Sequence, residues 1–515
     1  MATIDDIPVE LLLDVISCVH NSTADASDDS SSLPLYGQTK QINDLKSIRL
    51  TCRRFSKLAA RPLFTSISCS ILDAESLERL EHISRHPHLS QHVKTVHVKL
   101  GFYDPVLVED LASLAKYLLW AWEDFQQPSP DDTEAWEREE TTEEAVMRRD
   151  LEEWVWRSQH VSRRDRERLL PALHLIKAEY RRRYMAQQDL RKTGDAIRRL
   201  GQAMALMPAA TSLVLQDARQ AHSHLGPLLF STLKAKADPT ALALPLSWTD
   251  CARLKEEQGL GEFTPPFDLI IDIPVAVRRA GVRLTELRVV GFQIPDELPA
   301  WDAIDPYGWD RHPEDDAAFD LTDSIQLATA SDLAAACTDL RLFQFDPQTK
   351  LVKDVVQAWM YRFDDRLSRF SNIIERMCHT TNMRRLRLDC LCADYDASNN
   401  PDVHYYESLF KSASWPNLES LHIENGRLET AETLLHLVRN LPKLSSLQLD
   451  ALGLHHFHIG GRPETRWSYL LDEVRKEMPR LRKNGLEQRG WESELPIKIR
   501  NAEAVYDEEH IGYMD

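Results

Sequence analysis

The sequence predicts a mixed α+β and α/β chain, with a small all-α amino-terminal unit followed by an irregular solenoid of strand-bearing repeats that carries a helical insertion. Three observations predict it. Apolar stripes at helical spacing occupy the first 66 residues, a tryptophan-rich stretch of helix formers fills 120–206, and a seven-residue apolar pattern recurs between His92 and Leu449. The chain has 515 residues, more than one ordinary hydrophobic core organises, so several packed units or an elongated array are expected. An apolar fraction of 43% is ample for folding.

Residues 1–66 are the first unit. Ile7, Pro8 and Glu10 open a helix, because proline suits a first turn whose amide hydrogens have no partner. Leu12, Val15, Ile16 and Val19 then recur at helical spacing. From 21 to 41 the chain turns to serine, aspartate, glycine and proline, the composition of a disordered loop. The helical pattern resumes at Asn43 through Leu45, Ile48, Cys52, Phe55 and Leu58 or Ala59. Two such segments make a small core that leans on the rest of the chain or on a partner.

Residues 67–119 are expected to be a linker with a first repeat-like segment. The stretch 120–206 is a charged helical insertion, in which Trp120, Trp122, Trp136, Trp154 and Trp156 stand among Glu and Arg. The triplet Arg181, Arg182 and Arg183 lies between Glu179 and Asp189 and is expected to be a solvated helix face.

Residues 207–515 form the repeat region and its carboxy-terminal cap. The clearest copies of the pattern x-L-x-x-L-x-L are Asn417-Leu-Glu-Ser-Leu-His-Ile423, Lys443-Leu-Ser-Ser-Leu-Gln-Leu449, Asn382-Met-Arg-Arg-Leu-Arg-Leu388 and Arg283-Leu-Thr-Glu-Leu-Arg-Val289. Looser copies begin at Asp339, Ala209 and His92. The last two apolar residues alternate across a short strand and point inward, while the residues between them face out. The spacing from Leu421 to Leu447 is 26 residues, within the range of leucine-rich repeats. Outward positions are the candidate target surface, led by Arg288, Gln344, Arg385, Arg387, His422 and Gln448, with Glu286, Asp346, Asp389, Ser420, Glu424, Ser446 and Asp450 beside them.

The segments Ile7-Pro-Val-Glu-Leu-Leu-Leu-Asp-Val-Ile16 and Asp44–Phe64 together resemble the F-box, in the form found in fungal proteins that continue into degenerate leucine-rich repeats. The resemblance covers about one eighth of the chain. It implies that the helices bind a Skp-type adaptor, which joins a cullin scaffold, while the carboxy-terminal region captures proteins destined for ubiquitin transfer. Ile7, Pro8, Leu11, Leu12, Ile16, Leu45, Leu50, Cys52 and Phe55 are then either the adaptor face or the helical core. No bond-making residue and no cofactor are implied. A scaffold using the same adaptor outside ubiquitin transfer is the alternative reading, and a hydrolase a distant third.

Composition narrows the classes further. A net charge of -19 argues against general attraction to nucleic acid or anionic membrane surfaces. The first twenty residues lack a basic leader pattern and no apolar run is long enough to span a bilayer, so residence in the cytoplasm or nucleus is expected. Most of the eight dispersed cysteines are expected to be buried thiols. Cys378, His379, Cys390, Cys392 and His404 lack the pair spacing of a zinc site, so no metal is expected. His455, His456 and His458 have no nucleophile or carboxylate partner, and the acidic, tryptophan-bearing loop at 301–309 gives no defined carboxylate separation.

Overall fold

Every copy of the seven-residue pattern forms a strand. The computed structural model describes residues 37–126, 163–217, 265–292, 330–346, 373–389, 414–424, 427–428, 431–450, 453–454 and 497–500, with positions 11–12, 149, 242–248, 250–251, 254, 260, 263 and 409–410. The strands are β1 (Ser66–Ser70), β2 (Thr95–Lys99), β3 (Ser212–Gln216), β4 (Glu286–Val290), β5 (Leu342–Asp346), β6 (Arg385–Asp389), β7 (Ser420–Glu424), β8 (Arg427–Leu428), β9 (Ser446–Asp450), β10 (Gly453–Leu454) and β11 (Ile497–Arg500). Nine of them make one sheet in the order β1-β2-β3-β4-β5-β6-β7-β9-β11. Every neighbouring pair in it is parallel. β8 and β10 form a separate parallel pair.

The pattern fixes the register. Ile67, Val96, Leu213, Leu287, Phe343, Leu386, Leu421 and Leu447 are successive partners across the sheet, and Cys69, Val98, Leu215, Val289, Phe345, Leu388, Ile423 and Leu449 lie two residues on. All of these side chains are buried. A slip of one residue would turn each apolar set to the opposite face, so burial on one side locks the alignment. In three copies the opening residue also ties neighbours together. Asn382 Nδ2 donates to the Thr338 carbonyl at 3.1 Å, Asn417 Nδ2 to the Thr381 carbonyl at 2.9 Å, and Lys443 Nζ to Asn417 Oδ1 at 2.5 Å.

Helices return the chain between strands, as parallel pairing demands. Before the sheet come α1 (Gly37–Thr51) and α2 (Arg53–Leu63). Next are α3 (Ala74–Arg85), α4 (Pro105–Glu109), α5 (Leu111–Gln126), α6 (Arg163–Lys192), α7 (Asp195–Ala205), α8 (Leu269–Arg279), α9 (Ala330–Cys337) and α10 (Ala431–Arg439). α3 starts where Asp73 accepts the Glu75 amide hydrogen at 3.2 Å, and it buries Leu77 and Leu80 one turn apart. α8 is apolar nearly all round and is buried accordingly. α3, α7, α8 and α9 pack side by side in that order, following the order of the strands.

This architecture corrects the expected fold class. The described residues build one α/β layer around an all-parallel sheet, rather than an all-α amino-terminal domain followed by an irregular leucine-rich repeat solenoid with a helical insertion. Two observations decide it. α2 ends at Leu63 and the sheet begins at Ser66, so the amino-terminal helices lead directly into the first strand. Leu114, Tyr117 and Trp120 of α5 and Leu173, Ile176 and Tyr180 of α6 also belong to the same apolar core as the strands, running from Ile67 to Leu449. Within the stretch read as an insertion, α6 is stitched to the segment after β2. Gln187 accepts the Tyr103 amide hydrogen at 2.7 Å and donates to its carbonyl at 2.8 Å, and the Tyr180 hydroxyl accepts the Asp104 amide hydrogen at 3.1 Å.

Candidate interaction surfaces

The amino-terminal surface begins with a break between two helices. The sequence pattern runs unbroken from Asn43 to Ala59, but Cys52 adopts an extended conformation (φ -157°, ψ 166°) and caps α2. Its Sγ accepts the Phe55 amide hydrogen at 3.5 Å. α1 and α2 pack together, and the Arg49 guanidinium lies over the Phe64 ring at 5.2 Å.

Burial divides the residues that sequence alone left undivided. Leu12 and Leu45 point inward, Leu45 with only 1% of its surface exposed. Leu11 and Leu50 point outward, at 55% and 86% exposed, and Leu50 is the most exposed of the large apolar side chains described. Cys52 is exposed and Phe55 half-buried. Ile7, Pro8 and Ile16 lie outside the described residues. Lys46, Arg53, Lys57 and Arg61 are also exposed here, making the surface both greasy and basic.

The second surface is the outer face of the sheet, built from odd strand positions. Its middle row reads Ser68, His97, Val214, Arg288, Gln344, Arg387, His422 and Gln448 across successive strands. Five of the six predicted target residues therefore stand on neighbouring strands, about 4.8 Å apart, in one line. Arg385 is exposed in the row at the amino ends of the strands, beside Leu342 and Ser420.

Charge pairs lace that line. Arg387 lies 3.1 Å from Glu424 and 3.5 Å from Asp346, bridging β5 and β7 from β6. Gln344 donates to Asp346 at 3.3 Å, and His422 is 4.0 Å from Glu424. Arg288 is 3.7 Å from Glu286, whose carboxylate accepts from the Ser212 hydroxyl at 3.1 Å. Asp389, expected to face outward with the others, is buried.

Sequence reasoning missed the upstream end of this face. His97 occupies the same outward position in the loose copy at 92–98 that His422 occupies downstream, which was the available signal. Its Nδ1 lies within hydrogen-bond distance of Gln216 Oε1, at 3.2 Å. Burial holds this imidazole below the usual histidine range, Gln216 opposes that shift, and the nearby positive charges of Arg288 and Lys99 reinforce it.

Cys378 is a buried core thiol, raised well above its ordinary value by desolvation, and Cys69 is pushed up to about 12 chiefly by burial. Such thiols stay protonated and inert at neutral pH. Cys390, Cys392, His404, the 455–458 histidines and the 301–309 loop lie outside the described residues. Among the described residues no group of three or more His, Cys, Asp or Glu side chains is placed to hold a metal, and no helix is long and apolar enough to cross a membrane. Compared with known proteins, the chain matches no family model and no curated sequence.

Proposed function

We propose that the chain is a non-catalytic substrate-recognition subunit of an SCF-type ubiquitin ligase. Its amino-terminal helices bind a Skp-type adaptor that connects it to a cullin scaffold, and the outer face of the sheet captures the target protein. One observation carries this reading: Leu50 is 86% exposed on a helix whose neighbouring Leu45 is buried. A leucine left in water forgoes roughly 1.5–3 kcal/mol of burial, which a partner groove recovers. The adaptor-facing side chains are therefore Leu11, Leu50 and Cys52, while Leu12 and Leu45 hold the helices together. The chain contributes proximity, bringing target lysines to the transferring machinery.

Affinity capture with the full chain tests both surfaces. Leu50→Asp is expected to reduce adaptor and cullin recovery at least about tenfold while targets are retained. The triple substitution Gln344→Ala, His422→Ala, Gln448→Ala is expected to do the reverse. Adaptor capture unaffected by Leu50→Asp removes the assigned docking site, and adaptor recovered from the unaltered chain without cullin favours a scaffold outside ubiquitin transfer.

A further inference from the structure

We infer that the α1–α2 surface selects an acidic partner face, with a stripe of cations steering that face onto Leu50. The inference rests on the adaptor-docking reading and adds the partner's chemistry. Arg53, Lys57 and Arg61 are spaced four residues apart on α2 and all are exposed, so they line one side of the helix at about 6 Å intervals. On α1, exposed Lys46 precedes exposed Leu50 by one turn.

Between Leu45 and Arg61 there are six basic residues and no acidic one, in a chain whose net charge is -19. The surface is thus opposite in sign to the molecule that carries it. An acidic partner is repelled by the chain as a whole and attracted at this end, which raises the encounter rate and selects orientation.

The placement of Arg53 strengthens the case. α2 has no acidic residue in its first turn and opens on Arg53 and Arg54, where the helix dipole disfavours positive charge. Each cation at that end costs the helix stability. A partner that supplies carboxylates there relieves the unfavourable arrangement on binding.

Stopped-flow association of the full chain with purified Skp-type adaptor, from about 20 to about 500 mM salt, tests the inference. For the unaltered chain the association rate should fall at least about tenfold across that range. Arg53→Glu, Lys57→Glu, Arg61→Glu together should lower the low-salt association rate about tenfold, flatten or invert its salt dependence, and leave dissociation within about twofold. Acid at the start of α2 suits the dipole, so this variant should keep its helix. The neutral triple Arg53→Gln, Lys57→Gln, Arg61→Gln should fall between the two. Retained binding with a salt-independent association rate overturns the inference and leaves the receptor reading standing. Absence of adaptor binding by the unaltered chain overturns both.

Discussion

Gly201 shows how one missing side chain sets a contact between helices. A Cβ at this position of α7 would stand 2.9 Å from the Ala276 carbonyl oxygen on α8 and 3.3 Å from the Cβ of Ala280, which caps that helix. Alanine is the better helix former by about 1 kcal/mol, but forcing backbone apart in a packed interior costs about 1–3 kcal/mol. Gly201→Ala is therefore expected to lower unfolding stability by about 1 kcal/mol in denaturant titration, and a stabilised variant would show that α7 moves away freely. Cys52 makes a related point. Its place in the apolar stripe was readable, but its role as a helix cap depends on backbone angles that periodicity does not specify.

α6 illustrates what an element gains from its surroundings. Its triplet Arg181, Arg182 and Arg183 reads as a solvated face, and Arg181 and Arg182 are exposed, yet Glu179 accepts hydrogen bonds from Arg182 and Arg183, and Arg183 also donates to the Ala243 carbonyl at 2.9 Å. Arg182 first, and Arg183 with it, holds the Glu179 carboxyl down at about 2 against desolvation that acts the other way. A carboxyl depressed in the folded state stabilises above its ordinary value near 4.5, and that contribution is lost as pH falls toward about 2. Glu179→Gln should therefore lower the melting temperature at neutral pH, an effect of about 1 kcal/mol for a partly exposed network. The difference from the unaltered chain should close between about pH 4.5 and pH 2. A constant difference across that window would show that the pair is not the source. The strands show the same dependence in reverse. β1 fits the repeat pattern through Phe64, Ile67 and Cys69, so it was legible and missed, whereas β11 has only Ile497 and Ile499 and lacks the leading apolar residue.

At the scale of the molecule, one apolar core joins the sheet from Ile67 to Leu449. Leu287 lies fully buried in β4 near its middle, and Leu287→Ala should cost about 2–5 kcal/mol. Because the core is continuous, amide-exchange protection is expected to fall in β1 and β9 as well as in β3 and β5. Loss confined to β3–β5 would divide the sheet into independent units. The amino-acid sequence by itself determined where most strands lie, which of their side chains turn inward and which line the outer face, because alternation and helical spacing are local properties written every two or three to four residues. Only the tertiary structure decided that these strands share one parallel sheet, that α5 and α6 join its core, and that Leu45 is covered while Leu50 is not. Those outcomes depend on contacts between segments tens or hundreds of residues apart, and no short stretch of sequence carries them.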